Sequence, residues 1–387
     1  MLSETAVRIQ PLPRIVFGVA SSADIAKHMG IAGKGDVLIV TDKGIVQAGI
    51  VATIAKSLEA AGISVQIFDG VEPNPTDKNV DDGVDVLNAM NGAIVLAVGG
   101  GSSMDAAKAI ALIGPNGGAV QDYGYGCKPE KPGRPVVAVP TTAGTGSETN
   151  LVSVITDTKA GRKLYVAHPS VQPVVAILDP NLTLGLPQYP TATCGFDVLT
   201  HAIEAFTSRA ANPYADGVAI EAVRMAWKNL PLVHDDGSNL EARSQMLLAS
   251  AMAAIAFNVV GLGAAHSTGH PISARFHAAH GQTLATMLPL VMRFNMEARA
   301  AKYAQIAEAI GVADSGRPDE ENARAAVDAI EELTVSIGLK KSLRDMGAVE
   351  SDIAQLVEDA LMDLTLRSNP KKMSPEDATS LFEAALD

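Results

Sequence analysis

The chain has little cysteine: 387 residues contain two, Cys127 and Cys194, with no C-x-x-C spacing. That excludes a disulfide framework and a dithiol or cysteine-zinc motif, and it predicts a reducing cytoplasm as the compartment. Aromatic residues are scarce at 4%, a composition suited to closely packed helices and glycine-rich turns. Basic runs are missing too. Thirty Lys and Arg stand against 43 Asp and Glu, for a net charge of −13. Without clustered cations, nucleic acid and anionic membranes are not expected as partners. The N-terminal MLSETAVR lacks the apolar segment of a secretory signal, so no export is predicted. One stretch, 246–265, is uncharged over about the length of a bilayer span. Ala, Gly, Ser and Asn dilute it and it runs into His266, which predicts a buried helix delivering a functional site.

Hydrophobic residues make up 47% of the chain, and its length exceeds what one core usually serves, so two domains are expected. In the first half, apolar runs alternate with helical patterns, the rhythm of a parallel sheet. Strands are predicted at 37–41, 64–68, 93–98, 136–139 and 174–178, helices at 45–61 and 76–90, and a hairpin from 151–156 with 163–166. Beyond about Leu186 only Ala- and Leu-rich helical periodicities remain: 197–207, 216–227, 241–258, 297–310 and 320–337. Residues 179–187 read as a linker. The expected architecture is an α/β domain at 1–187 and an all-helical domain at 188–387.

Two loops of the first half have the chemistry of phosphate sites. GGGSSMDAAK at 99–108 follows an apolar strand and opens a helix, so bare amides and a helix N-terminus can face a diphosphate. PTTAGTGSE at 140–148 supplies hydroxyls and flexible backbone after another strand. Neither is the G-x-G-x-x-G fingerprint, so an ordinary Rossmann assignment is excluded in detail. Asp42, at the end of the first predicted strand, stands where a carboxylate can bond an adenosine ribose and repel a 2′-phosphate, favouring NAD over NADP. It is equally placed to cap the helix that follows.

The second half holds the histidines. Asp197 with His201, and His266 with His270, are i,i+4 pairs that share a helix face, and His277 and His280 follow. An acid-and-imidazole set of this kind suits one divalent metal, but spacing alone does not choose among His266, His270, His277 and His280. His277 fits an ordinary surface or core histidine best. Cys194 reads as a small buried thiol.

In order along nearly the whole chain, GGGSSMDAAK, PTTAGTGSE, GFDVLTHAIEAFTS at 195–208 and the segment 266–281 resemble the motifs of iron-containing (group III) metal-dependent alcohol dehydrogenases. The resemblance implies a dinucleotide-binding α/β domain, an all-α domain of the dehydroquinate synthase-like architecture, and a cleft holding nicotinamide, metal and substrate. It implies Asp197, His201, His266 and His280 as metal ligands and His270 as the proton relay. It implies nucleotide contacts at Asp42, Asn74, Gly99, Gly100, Gly101, Ser102, Ser103, Thr141, Thr142, Thr145 and Lys163. Thr149-Asn150 and Phe196 depart from the motifs without removing a ligand.

The activity so implied is reversible hydride transfer between a small primary alcohol or diol and NAD, with Fe2+ as the metal, Zn2+ the alternative, and a homodimer or larger homo-oligomer as the assembly. Because imidazoles bind metal only when neutral, acidification towards pH 5 is expected to release the ion. Two other readings compete: a metal-independent maleylacetate reductase-like enzyme, which typically lacks the full ligand set, and a catalytically silent metal-binding scaffold, which has no use for the nucleotide loops.

Overall fold

The structure is a computed structural model that describes residues 7, 9, 11–90 and 92–387. The N-terminal stretch read for export therefore lies, Val7 apart, outside the described residues. The chain divides into two compact units, Pro11–Leu186 and Pro187–Asp387. Neither Cys127 nor Cys194 forms a disulfide, and both are half-buried.

In the first unit, β1 (Arg14–Phe17), β2 (Val37–Val40), β3 (Val65–Phe68), β4 (Ile94–Gly99), β5 (Val136–Pro140) and β8 (Val175–Leu178) form one parallel sheet in the order β1-β8-β5-β4-β2-β3. The central strands are continuous apolar runs because both faces are covered. Leu38 and Val40 pack on one side with α4 (Asp77–Asn88) and α5 (Gly101–Ile113); Val37 and Ile39 pack on the other with α1 (Ile25–Ala32) and α3 (Ile50–Ala60). β6 (Val152–Asp157) and β7 (Arg162–Ala167) form the expected antiparallel hairpin. β1 and α1 escape the sequence reading because β1 is a short edge strand with no fully buried residue. The helix expected over 45–61 is two, α2 (Lys43–Gln47) and α3, broken where Gly49 adopts φ 78°. Residues 179–187 are not a loose linker: Asp179 is buried and accepts from Ala20 N, Ser22 N and Ser22 Oγ.

Strand order puts β2 and β4 side by side while the chain leaves them in opposite directions, to β3 and to β5. Such a switch point opens a crevice at the carboxyl ends of the two strands. The loop after β5 is fixed there by a buried network. Lys108 Nζ donates to Ser147 Oγ at 2.6 Å, Asn150 Oδ1 at 3.0 Å and Val152 O at 2.8 Å. Asp105 accepts from Ser147 Oγ at 2.6 Å and from Val154 N at 3.0 Å. Burial pushes the Lys108 ammonium down to about 8, against the pull of Asp105 and Glu148. The same burial pushes the Glu148 carboxyl up to about 7, and its Oε1 has no hydrogen-bond partner.

The second unit is helical: α6 (Gln188–Thr207), α7 (Pro213–Asp235), α8 (Leu240–Val260), α9 (Ala264–Phe276), α10 (His280–Ile310), α11 (Asp319–Ser336), α12 (Ile353–Met362) and α13 (Pro375–Leu386). No strand occurs there among the described residues. The single helix expected over 246–265 is two, because Gly261 at φ 76° ends α8 and α9 starts at Ala264. By length and composition α8 could cross a membrane, but 67% of its apolar window is buried inside the protein. The helix expected from residue 297 starts at His280 and kinks at Arg299. Small residues set the packing distance: a Cβ on Gly281 would lie 1.9 Å from Thr193 O, and one on Gly195 would lie 2.3 Å from Leu230 Cδ1.

Two outcomes follow from this packing. Gly281→Ala forces α10 off the α6 backbone, which cannot yield as a side chain does, and should cost about 3 kcal/mol, read as a lowered chemical-denaturation midpoint. Glu148 holds its proton to about pH 7 when folded, against 4.5 for the free group. The folded chain thus binds the extra proton between those values, and the stability involved is full below pH 4.5 and lost as pH rises through 7. Denaturation at a series of pH values should show the wild type losing up to about 3 kcal/mol relative to Glu148→Gln across that window.

Candidate functional site

At the switch point the two loops named from sequence meet. Gly99 is at φ 151° and Gly100 caps α5. Thr141 N donates to Gly99 O at 2.9 Å. A Cβ on Gly101 would lie 2.5 Å from Thr145 Cγ2, and one on Gly100 would lie 3.3 Å from Thr142. The glycines are therefore needed for the loops to approach, and they leave the first turn of α5, with Ser102 and Ser103, as a bare-amide cradle of the kind that binds a diphosphate. Thr41 Oγ1 and Thr141 Oγ1, at the ends of β2 and β5, are buried without hydrogen-bond partners. These features fit a nucleotide.

Asp42 caps the helix that follows it, as foreseen. Its Oδ1 caps α2, accepting from Gly44 N at 2.9 Å and Ile45 N at 3.1 Å. Its Oδ2 accepts from Ser103 Oγ at 3.3 Å, which puts the second oxygen on the glycine loop. Asn74 and Lys163 pair with each other: Lys163 Nζ donates to Asn74 Oδ1 at 2.9 Å and to Thr156 Oγ1 at 3.1 Å. Asn74 needs the left-handed region for this, at φ 58°. Burial lowers the Lys163 ammonium to about 8. Asp105, which holds the hairpin to α5 through Val154 N, links this pair to the cradle. The departures at 149–150 are packing choices: Thr149 Oγ1 donates to Gly146 O, and Asn150 serves Lys108.

In the helical unit, four side chains from three helices converge. Asp197 and His201 share a face of α6, His266 comes from α9, and His280 is the first residue of α10. His201, His266 and His280 place their Nε2 atoms 3.4, 3.6 and 3.6 Å from one oxygen, Asp197 Oδ1. That oxygen is buried and has no hydrogen-bond partner, and the same is true of His266 Nε2. Adjacent ligand atoms on a tetrahedral ion with bonds of about 2.0–2.2 Å are about 3.3–3.6 Å apart. Asp197, His201 and His266 offer ligand atoms within 4.8 Å of one another, a group that could hold a divalent cation, and His280 adds its Nε2 at 3.6 Å from the same oxygen. Burial raises the Asp197 carboxyl, but the imidazoles outweigh it and hold it well below the usual carboxylate range. Burial likewise opposes charge on His266, yet Glu204 and Asp197 together raise it to about 9. In His280 burial prevails and depresses the ring far below its ordinary value.

His270 stands beside the ligands, its ring 5.3 Å from that of His280 and nearly parallel to it. Its Nδ1 contacts Asp363 Oδ2 at 2.8 Å. His277 is exposed and ends α9 in the left-handed conformation, which turns the chain back to present His280. Phe257 packs its ring 4.7 Å from that of His201.

Sequence reasoning missed Glu204 and Asp363. Glu204 Oε2 lies 2.6 Å from His266 Nδ1; it sits seven residues after Asp197 on the same helical stripe, a signal that was available. Asp363 is 93 residues from its histidine, and nothing local marks it.

With this geometry in hand, the chain can be compared with known proteins. Residues 13–180 match the model of iron-containing alcohol dehydrogenase, and residues 191–386 match the Fe-containing alcohol dehydrogenase family, C-terminal. The chain is 37% identical to NAD-dependent methanol dehydrogenase of Bacillus methanolicus over 97% of this chain and 98% of that protein. It is 39% identical to 1,3-propanediol dehydrogenase of Citrobacter freundii over 95% of this chain and 96% of that one. A crystal structure of 1,3-propanediol oxidoreductase superposes with a TM-score of 0.94 at 37% identity, covering 99% of this chain and 100% of the other. Two family models and near-full-length similarity leave one conclusion: the chain belongs to the iron-containing alcohol dehydrogenase family.

Proposed function

We propose that this chain catalyses reversible hydride transfer between a small primary alcohol or diol and NAD, using one divalent cation held by Asp197, His201, His266 and His280. The observation that carries the reading is the convergence of three imidazole Nε2 atoms on one unbonded, buried carboxylate oxygen. Family membership favours Fe2+ over Zn2+, since the ligand set suits both ions.

When bound, such a cation acts as a Lewis acid that lowers the pKa of an alcohol and eases hydride loss near neutral pH. The protein's own residues do the rest. The glycine loop, with Thr141, Thr142 and Thr145, holds the dinucleotide phosphates, and Asn74 and Lys163 extend the nucleotide contact along the hairpin. Asp42 Oδ2 accepts from the adenosine ribose and repels a 2′-phosphate, giving NAD over NADP. Asp363 accepts from His270 Nδ1, so His270 Nε2 is left basic and carries the alcohol proton towards solvent.

The chain assembles with copies of itself in the same reading. Among the described residues edge strand β1 has a neighbour on one side only, and Phe17 at its end and Val19 just beyond it are exposed. Sedimentation velocity reads the assembly.

Protein purified without chelator should carry about one metal ion per chain and turn over primary alcohols with NAD, lose turnover on chelation, and regain it on adding Fe2+ or Zn2+. Nucleotide-dependent reduction without metal, or metal without nucleotide binding, would overturn the reading. His270→Ala should retain the metal and lose about 10²–10⁴-fold in kcat; full turnover at every pH removes the relay. Asp42→Ser keeps an oxygen to cap α2 but removes the charge, and should shift the kcat/KM ratio towards NADP by at least about tenfold.

A further inference from the structure

Helix α9 starts at a glycine break and has no capping side chain of its own at Gly263. The N–H groups of its start find partners far away in sequence instead. Gly263 N donates to Glu204 Oε2 at 3.0 Å, Ala264 N to Asn369 Oδ1 at 3.1 Å, and Ala265 N to Glu204 Oε1 at 2.6 Å. The next residue is His266, whose Nδ1 contacts Glu204 Oε2 at 2.6 Å. One buried carboxylate thus closes the helix end and grips the ring of a metal-ligand residue. The junction is tight: a Cβ on Gly263 would lie 2.9 Å from both Glu204 Oε1 and Asn369 Oδ1 and would displace the two groups that cap α9.

Glu204 is also in register with the ligands of its own helix. Asp197, His201 and Glu204 are spaced i, i+4, i+7 on α6, so they form one stripe. The first two residues of that stripe face the ion position, and the third docks the helix that brings the next ligand. A carboxylate in this place accepts and does not donate, so it holds a proton on His266 Nδ1 and leaves Nε2 as the atom that can give its lone pair to an ion. Partners of this kind orient a ligand ring and raise its basicity.

We propose that Glu204 is a positioning residue for the metal: it registers α9 on α6 and fixes the Nδ1–H tautomer of His266, so that Nε2 faces Asp197 before an ion arrives. The inference rests on the ligand assignment made above and adds a residue outside the ligand set. It predicts that metal affinity, not only fold stability, depends on Glu204, because a site assembled in advance spends less of its binding energy on ordering its parts.

The experiment measures Zn2+ affinity of the full chain by competition with a chromogenic chelator, and the melting temperature of the metal-free and Zn2+-loaded forms. Glu204→Gln, which keeps the size and loses the charge, should bind Zn2+ about 10–100-fold more weakly than wild type and gain less melting temperature from the ion. Ser208→Ala is the comparator: its hydroxyl bonds Val260 O at 2.7 Å at the same junction and touches no ligand. It should lower the melting temperature of both forms and leave affinity unchanged. Glu204→Gln affinity within threefold of wild type overturns the proposal while leaving the ligand assignment standing. A wild type that binds no Zn2+ overturns the ligand assignment and the proposal with it. Should Glu204→Gln fail to fold, 15N spectra of wild-type Zn2+-loaded protein decide: a protonated Nδ1 on His266 is expected, and a deprotonated one overturns the proposal.

Discussion

The helical unit is organised around one buried oxygen. Asp197 Oδ1 lies in a shell of Ala- and Gly-rich helices with three ring nitrogens at 3.4–3.6 Å and no hydrogen bond. Burying a carboxylate in this way costs several kcal/mol unless positive charge offsets it. The imidazoles offset it only in part, whereas a divalent cation among the four side chains would reverse the sign of the site. Other features of the unit read as the means of bringing those side chains together: Gly281 permits α10 to touch the α6 backbone, Gly261 breaks the long apolar helix so that α9 can change direction, and His277 in the left-handed conformation turns the chain towards His280.

The sheet unit depends on a different constraint, close approach of backbone to backbone. Its binding loops are held by charges buried behind them: Asp105 and Lys108 on α5 take up Ser147, Asn150, Val152 and Val154, and so fix the loop after β5 against the helix that begins with the glycines. Polar side chains that look like surface chemistry in a motif are here the internal bracing of the motif. This is why the departures at 149–150 leave the cradle intact, since Thr149 and Asn150 bond inward and reach the backbone and Lys108.

Fold class and the two-loop cradle were legible because each rests on local pattern. Continuous apolar runs such as 37–40 and 94–99 mark strands covered on both faces, and an i,i+4 pair marks one helix face. Edge strand β1 was not legible, since its four residues include none that is fully buried. The break between α8 and α9 was not, since Ala and Gly on both sides of 260–264 carry the same hydropathy and only the left-handed Gly261 separates them. Spacing could not choose among His266, His270, His277 and His280. In three dimensions His266 and His280 reach Asp197, His270 stacks beside His280 and contacts a carboxylate from the C-terminal region, and His277 faces out.

Asp42 and Glu204 show why a structural and a functional role need not compete for one carboxylate. A carboxyl group has two oxygens and about four lone pairs, so a helix end that uses some of them leaves the rest for another partner. Asp42 spends Oδ1 on α2 and keeps Oδ2 at the glycine loop; Glu204 spends both oxygens on the start of α9 and still holds His266 through Oε2. In each case the cap locks the side chain's rotamer at the helix's expense, and the oxygen facing the site inherits that rigidity without further ordering. A side chain that serves only its site would have to be ordered when the ligand binds. Acids that close helix starts bordering a site therefore couple the stability of the fold to the precision of the site; in the sequence Asp42 looks like an ordinary cap, whereas Glu204, inside α6, is marked only by its i+7 spacing from Asp197.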